Sequence, residues 1–293
     1  MGATAPIGLV HNYYQRGQDM KTTTFWRETK KDCNEEWRAV EIFQYSDSRT
    51  NAVRKTRAPK TMLSSPAQKN LNDRRSKRYM VELVLANFGV GDFVAHLTYS
   101  DKWLPVSIRD AKRTAKKFLD RVAYAMQKRG LDPLKYVCIT AVGKINGRVH
   151  HHIFLSKGLS MEEIEDMWWA VKKTKSKPAE MLGGANVDRL KDWSGDGIFE
   201  MAKYVAQQTK GEKHWSQSQN LKKPRMKRTN DTKYKKKTME KIMQTESDSE
   251  AFLEFVRKYY PGYRPVKIEK ETPGDSGWNW SGGIYLLLRK LAA

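Results

Sequence analysis

Three of the six histidines in the chain, His150, His151 and His152, stand in a row within "NGRVHHHIFLS" (146–156). Side chains alternate along a strand, so a strand here places His150 and His152 on one face. His151 then lies on the other face with Val149, Ile153 and Leu155, and among apolar neighbours it reads as a core histidine holding a hydrogen bond. Two imidazoles side by side on one strand face can converge on a single divalent ion. Such a pair also arises without a metal, and the residues alone leave both readings open.

A second set stands in "DGIFEMAKYVAQQTKG" (196–211), whose period predicts a helix ending at Gly211. Ile198, Ala202, Val205 and Ala206 form its apolar stripe, which leaves Glu200, Lys203, Tyr204, Gln207 and Gln208 on the other side. Tyr204 is therefore not a core tyrosine. Glu200 precedes it by one turn, close enough to share a substrate atom, with Lys203 beside them. Either this is a solvated face carrying a Glu200–Lys203 ion pair worth a few tenths of a kcal/mol, or it presents a nucleophile with a carboxylate near it.

The surrounding pattern supplies elements to position these groups. "SSPAQKNLNDRRSKRYMVELVLANF" (64–88) reads as a helix capped by Ser65, with Pro66 at its first position and no breaker before Asn87. "DFVAHLTYS" (92–100) reads as a buried strand, and "SIRDAKRTAKKFLDRVAYAMQKRG" (107–130) as an amphipathic helix closed by Gly130. "KYVCITAVGKINGRVHHHIFLS" then reads as a hairpin about Asn146-Gly147, the dipeptide suited to a two-residue type I′ turn. Further along, "SMEEIEDMWWAVKK" (160–173) predicts a helix capped by Ser160, and "ANVDRLKDW" (185–193) a short strand. "SEAFLEFVRKYYPGY" predicts a helix and "GGIYLLLRK" a final strand. Residues 1–60 read as a polar extension with some strand at 39–46, residues 61–225 as the main domain, and residues 226–293 as a basic segment with an appended helix and strand. Strands and helices mix irregularly, so the expected class is α+β on an antiparallel sheet.

The 293 residues carry 55 Lys and Arg against 33 Asp and Glu, a formal charge of +22. A polyanionic partner follows, and nucleic acid fits better than a membrane surface because the charge peaks in "HWSQSQNLKKPRMKRTNDTKYKKK" (214–237) rather than on one amphipathic helix. Cys33 and Cys138 belong to no CxxC pair, so neither a zinc ribbon nor a disulfide framework is expected. No run approaches the ~18 apolar residues that a membrane span needs. No membrane association is expected, and residence in the cytoplasm follows.

Taken together, "GRVHHHIFL" and "EMAKYVAQ" resemble motifs of the HUH endonuclease superfamily, specifically single-tyrosine rolling-circle replication initiators of plasmids and phages. "DFVAHLTYSDKWLP" (92–105) is similar to the first motif of that family, and "HWSQSQNLKKP" (214–224) to the sequence following its tyrosine helix. The resemblance implies a five-stranded antiparallel sheet flanked by helices, similar to the RNA-recognition fold, with the histidine strand central. It implies His150 and His152 as metal ligands, Mn²⁺ or Mg²⁺ as the ion, Tyr204 as nucleophile and Glu200 as its companion, with Lys203 adjacent. It also implies single-stranded or extruded origin DNA as substrate and a 5′-phosphotyrosine intermediate. Basic residues and a stacking aromatic suit such a strand, and Trp215, Lys222, Lys223, Arg225 and Arg148 are the candidates. No GxxxxGK[ST] occurs in the sequence, so strand opening and synthesis fall to a host helicase and polymerase. A relaxase or transposase of the same superfamily shares this chemistry, and a non-catalytic basic binding protein would share the charge alone.

One position departs from the resemblance. A two-residue turn at Asn146-Gly147 sets Ala141 opposite His152 and on the ligand face, where the family pattern leads one to expect a carboxylate in a "TExG"-like stretch. Here the stretch reads "TAVG". Either His96 or a water takes the third position, or metal binding is weakened.

Overall fold

The computed structural model describes residues 23–46, 66–143, 146–192, 195–208, 215–271 and 282–291. Its class is the expected α+β: among the described residues, six α-helices and two five-stranded antiparallel sheets, with a small two-stranded ribbon.

The first sheet carries the histidines. Its strands are β3 (Phe93–Leu97), β4 (Tyr136–Val142), β5 (Val149–Leu155), β8 (Ala185–Arg189) and β9 (Trp215–Gln217), in the order β8-β3-β5-β4-β9, so the histidine strand is central. One face packs on α2 (Ile108–Lys128), where Phe93, Ala95, Leu97, Cys138, Ile153 and Leu155 meet Phe118, Leu119 and Val122. Helix α2 starts as read, with the Ser107 side chain accepting from the Asp110 N–H, and Gly130 beyond its end takes φ 67°, a left-handed conformation that glycine adopts without strain.

The other face packs on α1 (Pro66–Asn87) and α4 (Gly197–Gln207), and beyond these two helices lies the second sheet. That sheet joins β1 (Thr24–Asp32) and β2 (Trp37–Ser46) to β10 (Arg225–Arg228), β11 (Tyr263–Glu271) and β12 (Gly283–Lys290), in the order β10-β1-β2-β12-β11. The N-terminal and C-terminal segments, read apart in the sequence, thus build one sheet. A single core between the sheets holds Trp37, Ala39, Tyr285 and Leu287 from one and Val94, Val137, Ile139 and Phe154 from the other. The outer face of the second sheet is covered by α5 (Lys236–Gln244) and α6 (Glu250–Tyr259).

Two expectations need correction. The helix over 160–173 is only α3 (Met161–Glu165): its capping box forms at Ser160 and Glu163, but the chain then turns into β6 (Trp169–Val171), which pairs with β7 (Glu180–Met181). Trp168 is fully buried and its indole N–H donates to the Thr98 carbonyl at 2.8 Å, while Arg121 lies over Trp169 at 3.5 Å; these tertiary partners override the helical pattern. The β4–β5 hairpin is also not closed by a two-residue turn. The Gly143 N–H donates to the Arg148 carbonyl at 2.8 Å, which leaves four residues in the loop, with Gly147 at φ 65°. Ala141 therefore opposes His150, and Ile139 opposes His152. The register moves by two residues, so every side chain keeps its face. The readings of Ser65 as a cap and of Gly211 as a helix end lie outside the described residues.

Candidate metal centre and nucleophile helix

On central strand β5 the alternation separates the histidines as read. His151 points into the α2 side and is fully buried; its Nε2 meets the Tyr99 hydroxyl at 2.8 Å and its Nδ1 the Thr140 hydroxyl at 3.1 Å. Both ring nitrogens are engaged, so it has none to offer a metal. Burial, then the nearby histidines, lowers its pKa to about 3, which keeps it neutral.

His150 and His152 face the α1–α4 side, and strand pairing adds a third imidazole. β3 runs antiparallel beside β5 with His96 opposite His152. The His96 ring stacks on His152 at 4.8 Å between centroids and meets His150 edge-on at 5.4 Å, and His150 and His152 are 5.1 Å apart. One ligand nitrogen from each of the three can be chosen with all of them within 4.8 Å of one another. The three grade from exposed His96 through half-buried His150 to buried His152. His96 is thus the third imidazole on this face that could hold an ion. Ala141, 3% exposed, shares this face but carries no donor atom.

These residues fit a metal ion. The His152 Nε2 is buried and has no hydrogen-bond partner, the condition of a nitrogen whose partner is not protein. Burial, followed by His96 and His150, lowers the His152 pKa to about 3, so its lone pair is free at neutral pH. Burial, then His150, lowers His96 as well. His150 Nδ1 lies 3.3 Å from the Arg148 carbonyl, an outer contact of the kind that fixes ring orientation at metal sites.

Helix α4 crosses this face. It buries Ile198, Phe199, Ala202, Val205 and Ala206 against α1 and both sheets, and so turns Tyr204 outward, 53% exposed. The Tyr204 ring meets His152 edge-on at 5.8 Å, so the tyrosine stands at the open side of the triad. Glu200 and Lys203 lie on the same outward side, paired at 3.1 Å. Asn186, opposite His96 on β8, extends the row of polar groups; only the pairing of distant strands brings it there.

The candidate DNA contacts divide. Lys222, Lys223 and Arg225 are exposed, Arg225 on edge strand β10, and the loop before them is tied to α1 by Asn87, which donates to the Lys222 carbonyl at 2.8 Å and accepts from its N–H at 2.7 Å. Arg148 pairs with Asp101 and donates to the Tyr99 carbonyl, which fixes the hairpin base. Trp215 is corrected: it is buried, pairs in β9, donates to the Ser76 hydroxyl at 3.1 Å and packs on Tyr79, so it presents no free face for a base.

The family model of replication-associated protein ORF2/G2P matches residues 92–260, more than half of the chain and the whole stretch from β3 through the histidine strand and the tyrosine helix to α6. No curated protein and no solved structure matches the chain.

Proposed function

The chain belongs to the replication-associated protein ORF2/G2P family, and from that membership we propose that it is a replication initiator that nicks and rejoins single-stranded DNA through Tyr204. The observation that carries this reading is the Tyr204 ring at 5.8 Å from His152, on the open side of three converging imidazoles.

Phosphoryl transfer needs an aligned nucleophile, neutralisation of the non-bridging oxygens and help for the leaving oxygen. Tyr204 Oη attacks the scissile phosphorus; a Tyr–O–P bond forms as the bond to the 3′ oxygen breaks, giving a 5′-phosphotyrosine and a free 3′-hydroxyl. The phenol proton leaves to solvent on this exposed face, and the departing oxygen takes one up. One ester replaces another, so the step runs in reverse without ATP. His96, His150 and His152 would hold a divalent ion, which when bound supplies charge neutralisation at the phosphate. Of the two ions that the resemblance implies, an all-imidazole set favours Mn²⁺ over Mg²⁺.

Glu200, one turn from Tyr204, acts later as general base for the water that ends the reaction, with Lys203 beside it. The substrate is single-stranded or extruded origin DNA, drawn by the net charge and by Lys222, Lys223 and Arg225. Opening and copying the duplex fall to a host helicase and polymerase. The test is to mix the protein with end-labelled single strands spanning candidate origins and Mn²⁺, and resolve the products on a denaturing gel. A label that migrates with the protein supports the reading; strands cleaved without any attachment refute it.

A further inference from the structure

Beside the tyrosine helix lies a cavity of about 220 Å³ lined by residues of α1, α4 and the second sheet. Its floor is apolar: Val81 of α1, Phe199 and Ala206 of α4, and Tyr285 of β12. Its rim is cationic: Arg74, Lys77 and Arg78 of α1, Lys203 of α4 and Lys267 of β11, against the single carboxylate of Glu269. Arg78 is committed, being buried and paired with Glu269 and Glu271. Lys77 pairs with Asp73 at 2.7 Å and Lys203 with Glu200 at 3.1 Å, both at the partly exposed surface, where such pairs are weak and exchange readily for a phosphate. Lys267 pairs with Glu269, likewise at the partly exposed surface, and Arg74 has no carboxylate partner among the described residues.

We propose that this cavity holds one nucleotide unit of the DNA strand whose neighbouring phosphate lies at Tyr204. The chemistry selects the occupant. A cationic rim alone would take any anion and an apolar floor alone any small hydrophobe, whereas the two together suit a unit with a phosphate at one end and an apolar sugar or base face at the other. The volume lies below the roughly 300–1,000 Å³ of sites for drug-sized ligands, which favours a single unit over a large cofactor. Position links it to the chemistry: Lys203, which lines the cavity, immediately precedes Tyr204 on α4. The second sheet supplies Lys267 of β11 and Tyr285 of β12, so its C-terminal strands take part in gripping the strand. This inference rests on the reading of Tyr204 as facing a single strand.

The test uses the full chain in EDTA, where covalent chemistry plays no part, and follows the anisotropy of fluorescein-labelled dT20 across a salt series. Arg74→Ala/Lys267→Ala should weaken binding roughly 5- to 25-fold at 0.1 M salt and make the log K against log salt slope shallower by about 0.7 to 1.4, one to two phosphate contacts. Arg74→Lys/Lys267→Arg should keep the slope, as should Lys116→Ala/Lys128→Ala on the far helix α2. An unchanged slope in the first pair, or equal losses in all three pairs, overturns the proposal. A second arm titrates dTMP against the labelled strand: weak displacement that is lost in the alanine pair fits one nucleotide unit in this cavity, and displacement undiminished in the alanine pair places the nucleotide elsewhere and overturns the proposal. Binding is read apart from adduct formation, so a failure of nicking leaves this result standing.

Discussion

Replacing His96 by Ala removes one imidazole from the triad at an exposed position, where its ring lies against those of His150 and His152. Loss of an outer contact to a metal ligand costs about 10- to 100-fold in affinity, so loss of a direct ligand should cost at least about 100-fold, near 2.8 kcal/mol. Thermal stability of the metal-free protein should change by less than about 0.5 kcal/mol, as for other surface substitutions. The neighbour on the opposite face behaves in the converse way. His151→Ala strands the Tyr99 and Thr140 hydroxyls in a dry core and leaves a cavity against Trp168, which together should cost about 3–5 kcal/mol of stability. Titration calorimetry with Mn²⁺ and Zn²⁺, paired with urea unfolding at pH 8 in EDTA, reads both quantities. His96→Ala with undiminished metal affinity, or His151→Ala with lost affinity and full stability, would refute the assignment of faces.

Among the described residues the site holds three imidazoles and no carboxylate, so Mn²⁺ binding should be weak as the sequence stands, and Ala141→Glu, opposite His150, should raise affinity and nicking together despite about 1–3 kcal/mol of overpacking; calorimetry showing no gain would count against the ligand face. Glu200→Ala should cleave at the normal rate but accumulate the covalent adduct in a time course, whereas loss of the first cleavage would mean that Glu200 orients Tyr204 instead. The folded pKa of His151, about 3, lies below its unfolded value near 6.5, so the unfolded chain binds the proton first and stability falls as pH drops below 6.5. Between pH 7.5 and 5 this histidine accounts for about 2 kcal/mol. Urea midpoints for His151→Gln should therefore fall less over that range than those of the unaltered chain, and equal falls would refute the buried neutral histidine.

The elements legible in the sequence were those with local signals. Pro66 and the unbroken run to Asn87 marked α1, Ser107 and Gly130 bracketed α2, and alternation in "VHHHIFL" separated His151 from its neighbours. What escaped depended on partners far along the chain. β1 reads as polar "TFWRETKKD", and its identity as a strand comes from β2 beside it and from β10, nearly two hundred residues on. The same holds for the rim of the cavity, where Arg74 and Lys267 meet only because α1 packs against the second sheet. Trp215 was misread because its basic neighbours suggested a surface, while β9 pairing buries it. His96 was legible only as an alternative, since its place in the triad depends on the register of β3 against β5. The hairpin loop was shortened by two residues, an even error, so Ala141 kept its face although its partner changed.

Tyr204 is the point on which the mechanism turns, and the most direct measurement is to digest the covalent adduct formed with a labelled single strand and locate the nucleotide by mass spectrometry. The expected result is a 5′-phosphoryl nucleotide on the peptide bearing Tyr204, absent from Tyr204→Phe, while that variant binds the strand in EDTA as tightly as the unaltered chain. An adduct on another residue, or one that forms undiminished in Tyr204→Phe, would contradict the assignment of the nucleophile.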